Sequence, residues 1–246
     1  MSDSSPSSSG QHQPKSDRSK ITRNAGRAVY DSESVHAILD AGYLCHVGFE
    51  TDHGIVVIPT LYVRDGDTLI LHGSTGAGMT RAVRAGKPLT VEVTHLDGIV
   101  AARSHFHHSI NYRSAVAFGT STEVTDVVEK LRGMELLVEH ITPGRWDEAR
   151  KPSDSEFVQT SVIRMDIEEA SAKVRSGGPG EEPEDLDLDF WGGVIPVTTV
   201  HGTPEPDAEN DPKSASPGLC VHRLPSGMNP MNRYNRFIGV NSSCQC

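Results

Sequence analysis

Six segments of this chain, residues 43–49, 55–63, 68–72, 89–96, 99–104 and 112–121, are rich in Val, Ile, Thr and aromatic side chains and follow one another in quick succession. The spacers Asp52-His53-Gly54, Arg64-Asp65-Gly66-Asp67 and Asp97-Gly98 hold the residue types that tight connections favour. Strands joined this closely pair as an antiparallel meander, and residues 161–167 read as a further strand. Few helices are available to cover sheet edges. The pattern therefore predicts a mainly β fold, a closed or nearly closed β-barrel with a few helices.

Three helices are expected. Asp31-Ser32-Glu33-Ser34 precedes Val35, Ile38 and Leu39 on one face, with Gly42 as a stop, which predicts a capped helix over 32–41. Residues 80–85, ended by Gly86, form a short one. Over 126–140, Val127, Leu131, Met134, Val138 and Ile141 recur at helical spacing, and Asp126 with Glu129 suits a capping box.

The ends of the 246-residue chain differ from its middle. Residues 1–20 are dominated by Ser, Pro, Gln and charge and predict a disordered tail; residues 203–246 read as a linker and an appendage. That leaves 21–202 for a single domain. The net charge is −10, yet residues 1–30 and 216–246 each carry +3, so the intervening chain carries −16. An acidic middle argues against a nucleic-acid surface. Cys45 lies in the domain, whereas Cys220, Cys244 and Cys246 lie in the tail without a zinc-ligand repeat, which fits a reducing setting. No apolar run has the length of a signal peptide or a membrane span. A cytoplasmic protein with no membrane or nucleic-acid partner is the expectation, beside a weaker transit-peptide reading of the serine-rich leader.

The loop His72-Gly73-Ser74-Thr75-Gly76-Ala77-Gly78-Met79 joins a strand end to a helix start. First-turn N–H groups point outward there, the macrodipole adds partial positive charge, and glycines let the main chain approach an anion. It reads either as a polar turn or as a phosphate cradle. It is not a triphosphate P-loop, because no lysine follows a correctly spaced glycine. Pro59, inside Ile58-Pro59-Thr60-Leu61-Tyr62, removes a ladder donor. That strand is either an ordinary edge or one offering free N–H and C=O groups to a planar heterocycle. Arg103-Ser104-His105-Phe106-His107-His108-Ser109-Ile110-Asn111-Tyr112-Arg113-Ser114 concentrates hydrogen-bonding, stacking and anion-clamping side chains between two strands. No metal is expected there: His107 and His108 are adjacent and point apart, and no Cys, Asp or Glu completes a tetrahedral set. Lys173-Val174-Arg175 and Trp191-Gly192-Gly193 bracket an acidic loop and by default are a solvated basic pair and a packing aromatic.

Taken in order, Arg27-Ala28-Val29-Tyr30-Asp31, the 58–62 strand, His72-Gly73-Ser74, the 106–114 block, Pro143-Gly144-Arg145-Trp146, Lys173-Val174-Arg175 and Trp191-Gly192-Gly193-Val194-Ile195-Pro196 resemble the pyridoxamine 5′-phosphate oxidase-like family. Within it they are similar to the flavin-nucleotide-binding branch that includes nitroimidazole-resistance proteins. The resemblance spans 21–202. It implies a split β-barrel of the FMN-binding type, a homodimer with its sites at the interface, and FMN as cofactor, with haem or a deazaflavin in some relatives. Carried over by position, it sets the FMN phosphate against Ser74, Met79, Thr80 and Arg81. Pro59, Leu61 and Tyr62 would lie along the isoalloxazine edge through main-chain contacts, with His72 close by. Asn111 and Arg113 would reach ring or phosphate across the dimer, and Lys173 and Trp191 would close the pocket. The oxidase has two basic residues at the phosphate where this loop offers Arg81, and its substrate-phosphate residues are not recognisable, so vitamin B6 oxidation is not implied.

The first expectation is thus an FMN-dependent oxidoreductase that passes electrons from a nicotinamide cofactor or reduced carrier to a small planar acceptor, a nitroaromatic or quinone. His72 and His107 are its candidate proton donors. The alternative is a non-catalytic flavin- or haem-binding protein, with His105, His107 or His108 as an axial ligand. A third is a dimeric scaffold without cofactor.

Overall fold

The computed structural model describes residues 13–209. In chain order the elements are β1 (Ala28–Val29), α1 (Ser32–Leu39), β2 (Leu44–Thr51), β3 (Gly54–Asp65), β4 (Thr68–Ser74), α2 (Gly78–Arg84), β5 (Leu89–Ala101), β6 (Ser109–Gly119), β7 (Ser121–Glu123), α3 (Val127–Ile141), α4 (Arg145–Glu148), α5 (Asp154–Gln159), β8 (Thr160–Asp166), β9 (Glu169–Arg175) and β10 (Gly193–Pro196). All lie in the unit that ends at Thr198; residues 199–209 carry no helix or strand. Residues 1–12 and 210–246, with Cys220, Cys244 and Cys246, lie outside the described residues.

Two strands change neighbours along their length, and this closes the barrel. β3 pairs with β2 from Gly54 to Leu61 and with β4 from Tyr62 to Asp65. β6 pairs with β5 and β9, then runs through Thr120 into β7, which pairs with β8. Since β5 pairs with β2 and β4 with β8, the path returns to its start. The result is a split β-barrel. At the second crossing Asp166 N–H donates to Thr120 O (3.1 Å) and Glu168 N–H to Phe118 O (3.0 Å). The backbones approach so closely there that a Cβ on Gly119 would stand 1.6 Å from Asp166 O.

Period-two alternation places Cys45, Val47 and Phe49 of β2 inward, where they meet Leu69 and Leu71, Val91 and Val93, Ala115 and Ala117, and Ile163 and Met165. Val35, Ile38 and Leu39 of α1 and Met79, Ala82 and Val83 of α2 join the same core. Each such enclosed Leu, Ile or Val side chain contributes roughly 1.5–3 kcal/mol. α3 packs over the opposite surface of β3, β4 and β8, burying Leu137 against Val63, Ile70 and Val162. Burial also pushes the Cys45 thiol up to about 12, leaving it a small apolar side chain.

Several expectations are corrected. The segments 89–96 and 99–104 are a single strand, β5, because Asp97-Gly98 forms a bulge instead of a hairpin turn. β10 packs on that bulge, and a Cβ at Gly98 would lie 3.0 Å from Val194. Asp126 caps α3 by accepting from Val128 and Glu129 N–H groups, while the reciprocal box forms at Ser153 and Glu156 at the start of α5. β1, β9 and β10 were not anticipated: β9 alternates small residues, and Ala170, Ala172 and Val174 meet the core only because β6 lies alongside. Within the leader read as unstructured over 1–20, Ser16 and Ser19 hydroxyls and the Arg18 guanidinium all donate to the Glu169 carboxylate. No helix among the described residues is long and apolar enough to cross a membrane.

The Gly119→Ala substitution is expected to lower stability by about 3 kcal/mol or more, because main chain rather than a side-chain tip must give way. Gly26→Ala, where the new methyl meets nothing within 4 Å, is expected to stay within about 0.5 kcal/mol of the parent, and urea titration of both variants checks the contrast.

Candidate functional site

A fork opens where β3 and β4 part. Their ladder ends at Tyr62 opposite Leu71. Beyond it Leu61, Thr60 and Pro59 stay with β2, whereas His72, Gly73 and Ser74 stay with β8. Main chain on both arms thus faces an opening, and a proline is tolerated on such an edge because one ladder is already missing.

At the end of the β4 arm the chain turns into α2. Ala77 N–H and the Thr80 hydroxyl both donate to Ser74 O (2.9 Å each), and Gly76 N–H donates to Ser74 Oγ at 3.2 Å. Arg81 N–H reaches Ala77 O, so the N–H groups of Gly78, Met79 and Thr80 have no partner among the described residues. Met79 and Thr80 turn their side chains into the protein and present only main chain to the loop. The Arg81 side chain is exposed and folds back to donate to Gly76 O.

The loop is braced by a pair that the sequence reading missed. Arg84, one turn after Arg81, donates to Thr75 O at 2.9 Å and forks onto the Glu123 carboxylate at 2.6 and 2.7 Å. Glu123 also accepts from the Ser161 hydroxyl, and these bonds, that of Arg84 foremost, hold its carboxyl below the usual range. The i,i+3 spacing of two arginines after a Gly/Ser loop was the available signal. Its partner could not be read, since Glu123 comes from β7, 39 residues on.

His72 stands at the fork itself. Its Nδ1 is enclosed without a partner among the described residues, and burial pushes its pKa below 6.5, so the ring is neutral. Tyr62 is fully buried, its phenol donates to Leu39 O, and burial raises its pKa; only its main chain can meet a ligand.

The remaining expected residues form a second group. Asn111 donates to Gly177 O at 3.0 Å, and Arg113 is held by a two-pronged bond to Asp97 at 2.8 and 2.9 Å. Lys173 sits on β9, and Trp191 is 63% exposed, its ring against Gly193. Three interstrand steps, from β6 through β5 and β2, separate Asn111 and Arg113 from β3, roughly 14 Å across the sheet, and Lys173 on β9 is one step further. One chain does not bring the two groups together. His107 lies 3.6 Å from Glu182, and His108 Nδ1 lies 3.0 Å from Ser104 O. With Cys45, Val47 and Phe49 pointing inward, the other face of β2 and β3 leaves Leu44 (56%), Val57 (61%) and Ile55 (82%) exposed to water.

The profile described as pyridoxamine 5′-phosphate oxidase matches residues 31–174. This chain belongs to the pyridoxamine 5′-phosphate oxidase-like family. The family member is 35% identical to the flavocytochrome Anf3 from Azotobacter vinelandii, with a TM-score of 0.80 over 84% of this chain and 96% of that one. It is 34% identical to an FAD and haem binding protein from Mycobacterium smegmatis, with a TM-score of 0.74 over 78% and 94%. A candidate 5-nitroimidazole antibiotic resistance protein from Bacteroides thetaiotaomicron shares the fold at 20% identity and a TM-score of 0.52, covering 60% of this chain and 86% of its own. No curated protein is matched significantly.

In this oxidase-like chain the neutral state of His72 is linked to folding. The unfolded chain binds a proton near the ordinary pKa of 6.5 and the folded chain only below it, so the contribution to stability is complete above that value and is lost as the pH falls. The urea midpoint should therefore fall less for His72→Gln than for the parent on going from about pH 7.5 to about pH 5. Equal declines would show that His72 is not protonation-linked.

Proposed function

We propose that this chain binds a flavin nucleotide at the fork between β3 and β4 and acts as a flavin-dependent redox protein. The observation that carries the reading is the combination at that fork: two strand edges with open main chain, ending in a loop that presents three unpartnered N–H groups beside Ser74 and Arg81. A flat heterocycle hydrogen-bonds along the edges while its phosphate meets the N–H groups and the Arg81 charge. Two relatives about one-third identical over most of their length, described as a flavocytochrome and as an FAD and haem binding protein, support the reading.

FMN is the first choice of nucleotide, a single phosphate for a single cradle. The electron acceptor would be a small planar compound such as a nitroaromatic or quinone, for which an open slot lined by Pro59 and Leu61 is suited. The flavin supplies the electron and hydride chemistry. The chain's part is to bind, orient and exclude water: Ser74, Arg81 and the first-turn N–H groups hold the phosphate, Arg84 and Glu123 keep the loop in shape, and neutral His72 offers its ring to the slot. A homodimer completes this reading. The bare apolar face carrying Leu44, Ile55 and Val57 adjoins the fork, and covering it with a second copy would bring Asn111, Arg113, Lys173 and Trp191 of one protomer to the fork of the other.

Haem is the second reading, favoured by His72. An iron ligand must be a neutral imidazole, and burial holds His72 neutral, with no partner for Nδ1 among the described residues.

The visible spectrum after loading with flavin and desalting tests the first reading. Ser74→Ala with Arg81→Ala is expected to weaken flavin retention by about a hundredfold, two anion contacts at roughly 1.5 kcal/mol each, without changing the unfolding midpoint. Full retention would overturn the assigned phosphate site. A Soret band lost in His72→Ala would establish the haem ligand.

A further inference from the structure

Arg175, the last residue of β9, is nine-tenths buried, with 9% of its surface exposed. Every bond it makes goes to a neutral acceptor: Nη1 donates to Asn111 Oδ1 and, at 3.3 Å, to Gly177 O, and Nη2 donates to Gly178 O at 3.1 Å. Its Nε is enclosed with no partner among the described residues. Among the described residues no carboxylate pairs with it, and Glu181 on the adjoining segment is taken by the main-chain N–H (2.8 Å) and guanidinium of Arg103. A buried cation without a counter-ion costs several kcal/mol.

The surroundings make that cost larger. Pairing of Ala28 with Lys173 sets Arg27 beside the end of β9, and neither Arg27 nor Lys173 has an ion pair among the described residues. Burial first, and then the Arg27 charge, push the Arg175 pKa below its ordinary value. The turn that follows has the features of an anion-binding concavity: Gly177 is at φ 93°, a Cβ on Gly178 would meet nothing within 4 Å, and the N–H groups of both glycines make no hydrogen bond among the described residues. Two guanidinium charges and open main-chain donors thus lie at the end of β9, where no acid among the described residues pairs with Arg175.

We propose that Arg27, Arg175 and the Gly177–Gly178 turn form a second anion site, separate in the chain from the Ser74–Arg81 loop, that takes the phosphate or carboxylate group of a small molecule. It goes beyond the flavin reading and does not need it. The oxyanion has two sources, the second phosphate of a dinucleotide cofactor or an acidic group on the substrate.

Isothermal titration with inorganic phosphate at constant ionic strength tests the site on the full-length protein. Saturable binding is expected in the parent and in Arg81→Gln, and about tenfold weaker binding in Arg27→Gln and in Arg175→Lys. Arg27 makes no bond to the glycine turn, so a guanidinium that merely clamps that turn would leave the Arg27→Gln titration unchanged. Repeating the titration after saturation with FMN or with FAD separates the sources. Blocking by FAD alone assigns the site to the dinucleotide, and free binding beside both assigns it to the substrate. Absence of saturable binding in the parent, or loss confined to Arg81→Gln, overturns the proposal, and neither result depends on whether flavin binds at the fork.

Discussion

The barrel depends on main chain crossing main chain at Gly119. There β6 leaves one sheet and, through Thr120 and β7, enters the other, with Asp166 and Glu168 N–H groups tying the crossing to the β8–β9 corner. Any side chain at Gly119 would occupy the Asp166 carbonyl, so closure requires the one residue that has none. The fork lies where β3 changes partner, leaving β4 at Tyr62 and staying with β2 from Leu61 back to Gly54. β4 follows β8, β3 follows β2, and in the gap between them strand edges remain open next to the start of α2.

Around this gap the protein keeps charge sparse and ordered. Arg84 is spent on Glu123 and Thr75 O to brace the loop, which leaves Arg81 and the first-turn N–H groups of α2 without an acidic partner among the described residues. His72 is kept neutral by burial alone, and Tyr62 anchors α1 through its bond to Leu39 O. In a chain whose domain is strongly acidic overall, Arg81 at the loop after β4 and Arg27 and Arg175 at the end of β9 have no acidic partner among the described residues. The positive sites are local features held by main-chain geometry and do not arise from the bulk charge.

Much of this was legible in the sequence. The β2–β3–β4 run, the 32–41 and 126–140 helices and the Gly/Ser loop after residue 72 follow from alternation, helical period and turn residues, each a relation between near neighbours, whereas β5 leaves the expected meander and pairs with β2 instead of β4. Where such relations mislead, a distant partner decided the outcome. Asp97-Gly98 has hairpin chemistry but serves as a bulge because Arg113 and β10 hold it from either side. Glu-Ala-Ser-Ala-Lys-Val-Arg has weak strand character, yet becomes β9 because β6 and β1 flank it. Arg175 reads as a solvated end of a basic pair and is instead enclosed.

By itself the sequence determined the class of fold, most of its strands and the Gly/Ser loop that joins β4 to α2, because alternation, glycine placement and side-chain type act over a few residues and need no knowledge of the whole. Only the tertiary structure decided where the barrel splits, which histidine is held neutral, which arginines are neutralised and which are left bare, and that the expected residues fall into two groups three strands apart. Each of these depends on burial and on pairing between segments far apart in the chain, and desolvation and ion pairing are set by what surrounds a group in space.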